Sequence, residues 1–149
     1  MPVTLLTNPT LGMVFQVLPF IQTLDRYYPE IQHWFVNKAI PGIFTGGDQL
    51  VLARDPHRIV GICLGKRTPE ETKLRCVRVL PDYQHTGLGI RLIDQMLEQL
   101  SCRHPSATVA EELFHQYSRL FHKRYGFMLD DVQKGVYRRG RLEYFYNQE

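Results

Sequence analysis

Residues 77–97 read VRVLPDYQHTGLGIRLIDQML: the end of an apolar strand, a proline, a polar loop carrying Gly87 and Gly89, then a helix-like run. Glycine is a poor helix former, so two of them where a helix must nucleate need a reason. One reading is an ordinary strand-to-helix turn. The other is a backbone that approaches an anion. Amides in a helix's first turn have no intrahelical partner, and the helix dipole adds partial positive charge there. With no side chains at 87 and 89, several N–H groups can converge on one anion, and a pyrophosphate is the natural guest. The string is not a Walker loop, because no Gly-Lys-Ser/Thr follows, and it lacks the third glycine of the dinucleotide fingerprint.

Upstream, DQLVLAR (48–54), RIVGICLG (58–65) and TKLRCVRVL (72–80) read as three strands joined by the turns DPH and RTPEE, with Pro81 ending the last. VTLLT (3–7) reads as a short strand, and Asn8-Pro9 starts a helix that Pro19 kinks or divides. Pro29 opens a second helical run that Pro41-Gly42 is expected to stop. Downstream of the glycine loop, a helix runs from about Gly87 to Leu100, SATVA (106–110) is a strand, and 112–125 is a helix ended by Gly126. FML (127–129) is read as a strand, DDVQKG as a connection, and 136–147 as a last strand that Gly140 can break. This order predicts one α/β (α+β) domain over 1–149, with a mixed, mainly antiparallel sheet flanked by helices.

A chain of 149 residues, 44% hydrophobic and 22% charged, can bury one core but not two. The net charge of +3 suits an anionic ligand but is weak for a dedicated nucleic-acid domain. Residues 1–24 carry no charge, yet Pro2, Pro9 and Pro19 interrupt them and no basic segment leads them, so buried structure is expected rather than a signal or membrane segment. Cys63, Cys76 and Cys102 have no metal-ligand spacing; reduced thiols in a cytoplasmic protein and no metal site are expected.

The stretch VRVLPDYQHTGLGIRLIDQML resembles the signature segment of the GNAT superfamily of acyl-CoA N-acyltransferases, in which a V-x-V-x-P strand end leads into a Q/R-x-x-G-x-G/A loop and a helix. LFHKRYGF (120–127) is similar to that superfamily's L-Y-x-K-x-G-F segment. The match covers residues 48–130. The resemblance implies acetyl-CoA as cofactor. Main-chain groups of Val77 and Val79 would pair with the pantetheine arm, and the amides of His85, Thr86, Gly87, Leu88 and Gly89 would hold the phosphates behind Gln84. Arg91, one turn into the helix, is either a cation for those phosphates or a solvated surface residue.

Acetyl transfer from a thioester needs a neutral amine, a stabilised oxyanion and a proton for the leaving thiolate. By the resemblance, a backbone N–H near Val77 would serve the carbonyl oxygen. His122 stands where the family commonly has a tyrosine acid; Tyr117 and Tyr125 are the alternatives. His115 and Ser118 would share a helix face with His122 toward the cofactor. Strand 72–80 has no acidic residue, which leaves Glu111 and Glu112, with Asp82 third, as candidate bases. An acyl-cysteine route through Cys63 or Cys76 would need a histidine partner.

The function expected is direct acetyl transfer to a primary amine in a ternary complex, the acceptor being a small molecule, a peptide or an aminoacyl-RNA. Tyr27, Tyr28, Trp34 and Phe35 fall where the family walls the acceptor site. The tail YRRGRLEYFY mixes arginine and aromatics as single-strand RNA binders do, but suits an edge strand better. The reading from another class is a non-catalytic acyl-CoA sensor or partner regulator, and a homodimer is possible under either.

Overall fold

The computed structural model describes residues 2–148. Seven strands form one sheet in the order β1-β2-β3-β4-β5-β7-β6. They are β1 (Thr4–Leu6), β2 (Asp48–Arg54), β3 (Ile59–Arg67), β4 (Thr72–Val79), β5 (Ser106–Ala110), β6 (Leu129–Lys134) and β7 (Leu142–Tyr146). Every neighbouring pair is antiparallel except β4 with β5. The mixed, mainly antiparallel sheet expected from sequence is what the chain forms.

Strand residues alternate between two buried faces because helices cover both. Leu50, Leu52, Ile62 and Leu64 pack beneath the helices α1 (Leu11–Phe15), α2 (Leu18–Gln22), α3 (Ile31–Trp34) and α4 (Ile40–Thr45). Val51, Ala53, Val60 and Cys63 face α5 (Leu88–Leu100) and α6 (Phe114–Arg119). Helix α5 lies close on β3 because Gly61 and Gly65 leave room: a Cβ on Gly65 would come within 2.6 Å of the Met96 sulfur.

Proline acts differently at its two helical positions. Pro19 divides α1 from α2, as expected, and sits in the first turn of α2 where its missing N–H costs nothing. Pro41-Gly42 does not stop its helix. A wide π turn, Phe35–Ala39, joins α3 to α4, and Pro41 falls in the first turn after it, so the helical run continues to Thr45.

The C-terminal strands also differ from expectation. DDVQKG is not a connection but most of β6, and the 136–147 segment is a turn followed by β7. Gly135 (φ 79°) and Gly140 (φ 75°) bound that turn in left-handed backbone. All six β6 side chains are exposed on an edge strand, so the sequence carries no apolar alternation to mark it.

Candidate active site

β4 and β5 pair only through Lys73–Ser106 and Leu74–Ala107. A register shift against β3 makes Arg75 an extra residue, a bulge that turns β4 away from its neighbour. Beyond it the strands part. The Val77 carbonyl, freed on that side, accepts a hydrogen bond from the Tyr117 hydroxyl at 3.1 Å. A strand residue's N–H and C=O point to the same edge, so the Val77 amide also faces the opening. The Val79 carbonyl accepts from Gln84 Nε2 at 3.3 Å, so Gln84 ties the loop to the strand end instead of reaching forward.

The loop then climbs to α5. Tyr83, in the short turn Pro81–Tyr83, is anchored when its hydroxyl donates to Asp55 at 2.6 Å. That hydrogen bond, with those from the His57 and Arg58 amides, holds the Asp55 carboxyl down at about 2. Thr86 Oγ donates to the Tyr83 carbonyl. His85 (φ 63°) and Gly87 (φ 85°) take left-handed backbone, which aims the start of α5 outward. Gly87 caps the helix without a side-chain bond, and a Cβ at Gly87 or Gly89 would meet open space. Leu88 is buried and pins the helix start to the core, while Arg91 is exposed beside Arg58 and Asp82. An unobstructed first turn of N–H groups fits the phosphates of coenzyme A.

Helix α6 turns its aromatics inward. Phe114 stacks on Tyr144 with centroids 3.9 Å apart, and Tyr117 and Phe121 follow on the same face. Burial pushes the Tyr117 phenol up to about 12, so it holds its proton across the neutral range. His115 and His122 are exposed, and among the described residues neither side chain has a hydrogen-bond partner; Ser118 is half-buried. The regular two-turn spacing expected for the histidines is interrupted by a π turn, Leu120–Arg124, in which the Tyr125 amide reaches back to the Leu120 carbonyl. The Tyr125 hydroxyl donates to Asp94 at 2.8 Å and links α6 to α5.

The two glutamates after β5 hold the 135–141 turn. Arg138 grips Glu112 with two bonds of 2.6 and 2.7 Å, and that pairing lowers the carboxyl to about 2. Glu111 accepts the Leu142 amide at 2.7 Å, with Arg141 nearby. Two arginines of the YRRGRLEYFY tail therefore face carboxylates. Asp82 meets Arg58 at 3.2 Å. Cys63 is fully buried, which suits a core thiol, while Cys76 is half-buried in the wall of β4 with its thiol pushed up to about 12 by burial.

On the opposite face of the sheet, under α3, lies a cleft of about 380 Å³ lined by Tyr28, Trp34, Arg75, Thr108, Tyr137 and Phe145. Of the four aromatics expected near an acceptor, Tyr27 and Phe35 are core and Tyr28 and Trp34 line this cleft. The Arg75 guanidinium lies 4.8 Å from the Trp34 ring centroid, with a buried Nε that has no hydrogen-bond partner. Behind the wall Glu143, 3% exposed, accepts the Tyr28 hydroxyl at 3.0 Å. Sequence reasoning passed over Glu143, although a carboxylate at the inward position two before Phe145 in LEYFY is a legible signal.

The parted strands beside a glycine-led helix place the fold, and the sequence confirms the family. Residues 46–129, more than half the chain, match the model of the acetyltransferase (GNAT) domain. The chain belongs to the GNAT acetyltransferases. No curated protein matches it in sequence. Among solved structures, this GNAT acetyltransferase is similar to a protein of that family from Desulfovibrio desulfuricans, at 21% identity and TM-score 0.75, covering 97% of each chain. It is also similar to the ribosomal-protein-S18-alanine N-acetyltransferase of Escherichia coli, at 13% identity and TM-score 0.71, over 97% of this chain and 92% of that one. The PaiA N-acetyltransferase of Thermoplasma acidophilum, solved with coenzyme A, matches at 14% identity and TM-score 0.67 over 97% and 98%. At these identities the likeness is one of fold. Among the described residues, no helix of this GNAT protein is long and apolar enough to cross a membrane.

Proposed function

We propose that the protein transfers the acetyl group of acetyl-CoA directly to a primary amine in a ternary complex. The observation that carries this reading is the opening between β4 and β5, spanned by Tyr117 and leading to the bare first turn of α5. The amides at 85–89 hold the phosphates and the Val77 main chain takes the pantetheine arm. The Val77 amide also lies where a thioester oxygen needs a donor.

Tyr117 is the acid in this reading, ahead of His122, because its hydroxyl already sits on the opening. A phenol at about 12 is a weak acid. The same water-poor setting also makes the leaving thiolate more basic, which narrows the difference. The acceptor enters by the cleft under α3, where the aromatic faces of Tyr28 and Tyr137 favour an ammonium group, while the Arg75 guanidinium in the wall is paired with Asp48 at 3.8 Å. Amino acids and short peptides suit that lining better than polyamines.

The test is thiol release from acetyl-CoA with a panel of alanyl peptides, free amino acids, spermidine and aminoacyl-RNA. Release with one class supports transfer. Binding of acetyl-CoA without release from any of them favours the sensor reading.

A further inference from the structure

Four groups converge behind the acceptor cleft from segments far apart in sequence. Tyr28 comes from the α2–α3 connection, Thr108 from β5, Tyr137 from the 135–141 turn and Glu143 from β7. Thr108 and Glu143 project to one face because β5 and β7 pair Thr108 with Phe145 and Ala110 with Glu143. The Tyr28 and Tyr137 rings meet edge to face at 5.2 Å, and both line the cleft, as does Thr108. Glu143 stands one hydrogen bond behind them.

A carboxylate buried to 3% exposure is costly unless it is satisfied or used. Arg138 lies near enough to favour its charge but is bound in both arms to Glu112. No other cation among the described residues faces it directly. We propose that Glu143 accepts the proton of the incoming amine, reached from the cleft through the Tyr28 hydroxyl. The proposal rests on the acetyl-transfer reading above.

The protons balance along this route. The acceptor arrives as an ammonium and gives one proton to the Tyr28 oxygen as Tyr28 passes its own to Glu143. The freed nitrogen pair forms the C–N bond while the thioester C–S bond breaks. The thiolate takes the Tyr117 proton, the second amine proton restores Tyr117, and Glu143 returns one proton to water. Burial raises the Glu143 carboxyl, with Glu112 adding to the rise, while Thr108, Tyr28 and Arg138 oppose it. The phenols of Tyr28 and Tyr137 are themselves raised and stay protonated, so the carboxyl is the group that titrates.

The experiment compares wild type with Glu143→Gln, whose amide oxygen still accepts from Tyr28, using n-butylamine and hydroxylamine as acceptors from pH 6 to 9. n-Butylamine is protonated throughout that range and must lose a proton; hydroxylamine, a far weaker base, is neutral over most of it. The variant is expected to bind acetyl-CoA like wild type, to lose about 100-fold or more with n-butylamine, and to keep its rate with hydroxylamine. Its kcat/KM profile should also lose the acid limb. Infrared difference titration of wild type against the variant should show one carboxyl titrating above the usual glutamate range. If Glu143→Gln does not fold, Tyr28→Phe serves instead and should show the same split between the two amines. Equal loss with both amines, no loss with either, or a carboxyl titrating in the ordinary range overturns the inference and leaves acetyl transfer standing. A wild type inert toward both amines and the whole panel overturns the transfer reading and this inference with it.

Discussion

The Tyr117 hydroxyl and the Val77 carbonyl meet at 3.1 Å across the opening between β4 and β5. The bond joins the helix after β5 to the strand that has left β5, and on the proposed function Tyr117 is the acid at that strand edge. Tyr117→Phe should therefore lower kcat by about 100-fold or more, within the range for a lost general acid. Acetyl-CoA affinity should change only a few-fold. Single-turnover thiol release and calorimetry on the same preparation separate the two effects.

Glycine 89 offers a cleaner probe of the loop than Gly87, whose left-handed backbone would strain any replacement. A Cβ at 89 meets nothing in the protein, so Gly89→Ala should hold or raise stability, by up to about 1 kcal/mol. Acetyl-CoA binding should weaken, because the added methyl would stand in the proposed phosphate site. Thermal melts with and without acetyl-CoA show both effects.

Close packing of α5 on β3 depends on Gly65. Gly65→Val would press on Met96, already fully buried, and on the Lys73 carbonyl 3.2 Å away. A loss of about 1–3 kcal/mol is expected by urea unfolding.

Acid should loosen two anchors together. Asp55 and Glu112 are both held at about 2, below their ordinary values of 3.8 and 4.5. A depressed carboxyl stabilises the folded state above its unfolded pKa and loses that contribution as pH falls through the folded one. Stability should thus decline between about pH 5 and pH 2, and Glu112→Gln should flatten part of that slope. Glu112 is 36% exposed, so solvent screening keeps its share to about 1 kcal/mol or less. Denaturation midpoints from pH 2 to 7 check this.

The sheet, the helix at 88–100 and the glycine loop were legible because their signals are local: short apolar runs bounded by turn residues in β2 to β4, helical spacing after Gly89, proline at Pro19 and Pro81. Edge strand β6 was not, since LDDVQK lies wholly in solvent and carries no buried face. Pro41 misled because the π turn before it moves the chain off the ordinary hydrogen-bond pattern, which no residue type announces. The same kind of turn after Arg119 interrupts the regular helical spacing between His115 and His122. Tyr28 and Glu143 lie 115 residues apart, and only the packing of the α2–α3 connection against β7 brings them together.

Calorimetric titration of acetyl-CoA into wild type and Gly89→Leu tests the central claim most directly. The account predicts binding by wild type with a dissociation constant between about 1 µM and 1 mM, the span usual for enzyme substrates. It predicts at least about tenfold weaker binding by a variant that melts at the same temperature or higher, since a single lost charge-assisted contact is worth that much. No heat from wild type at millimolar acetyl-CoA, or equal affinity in both proteins, would contradict it.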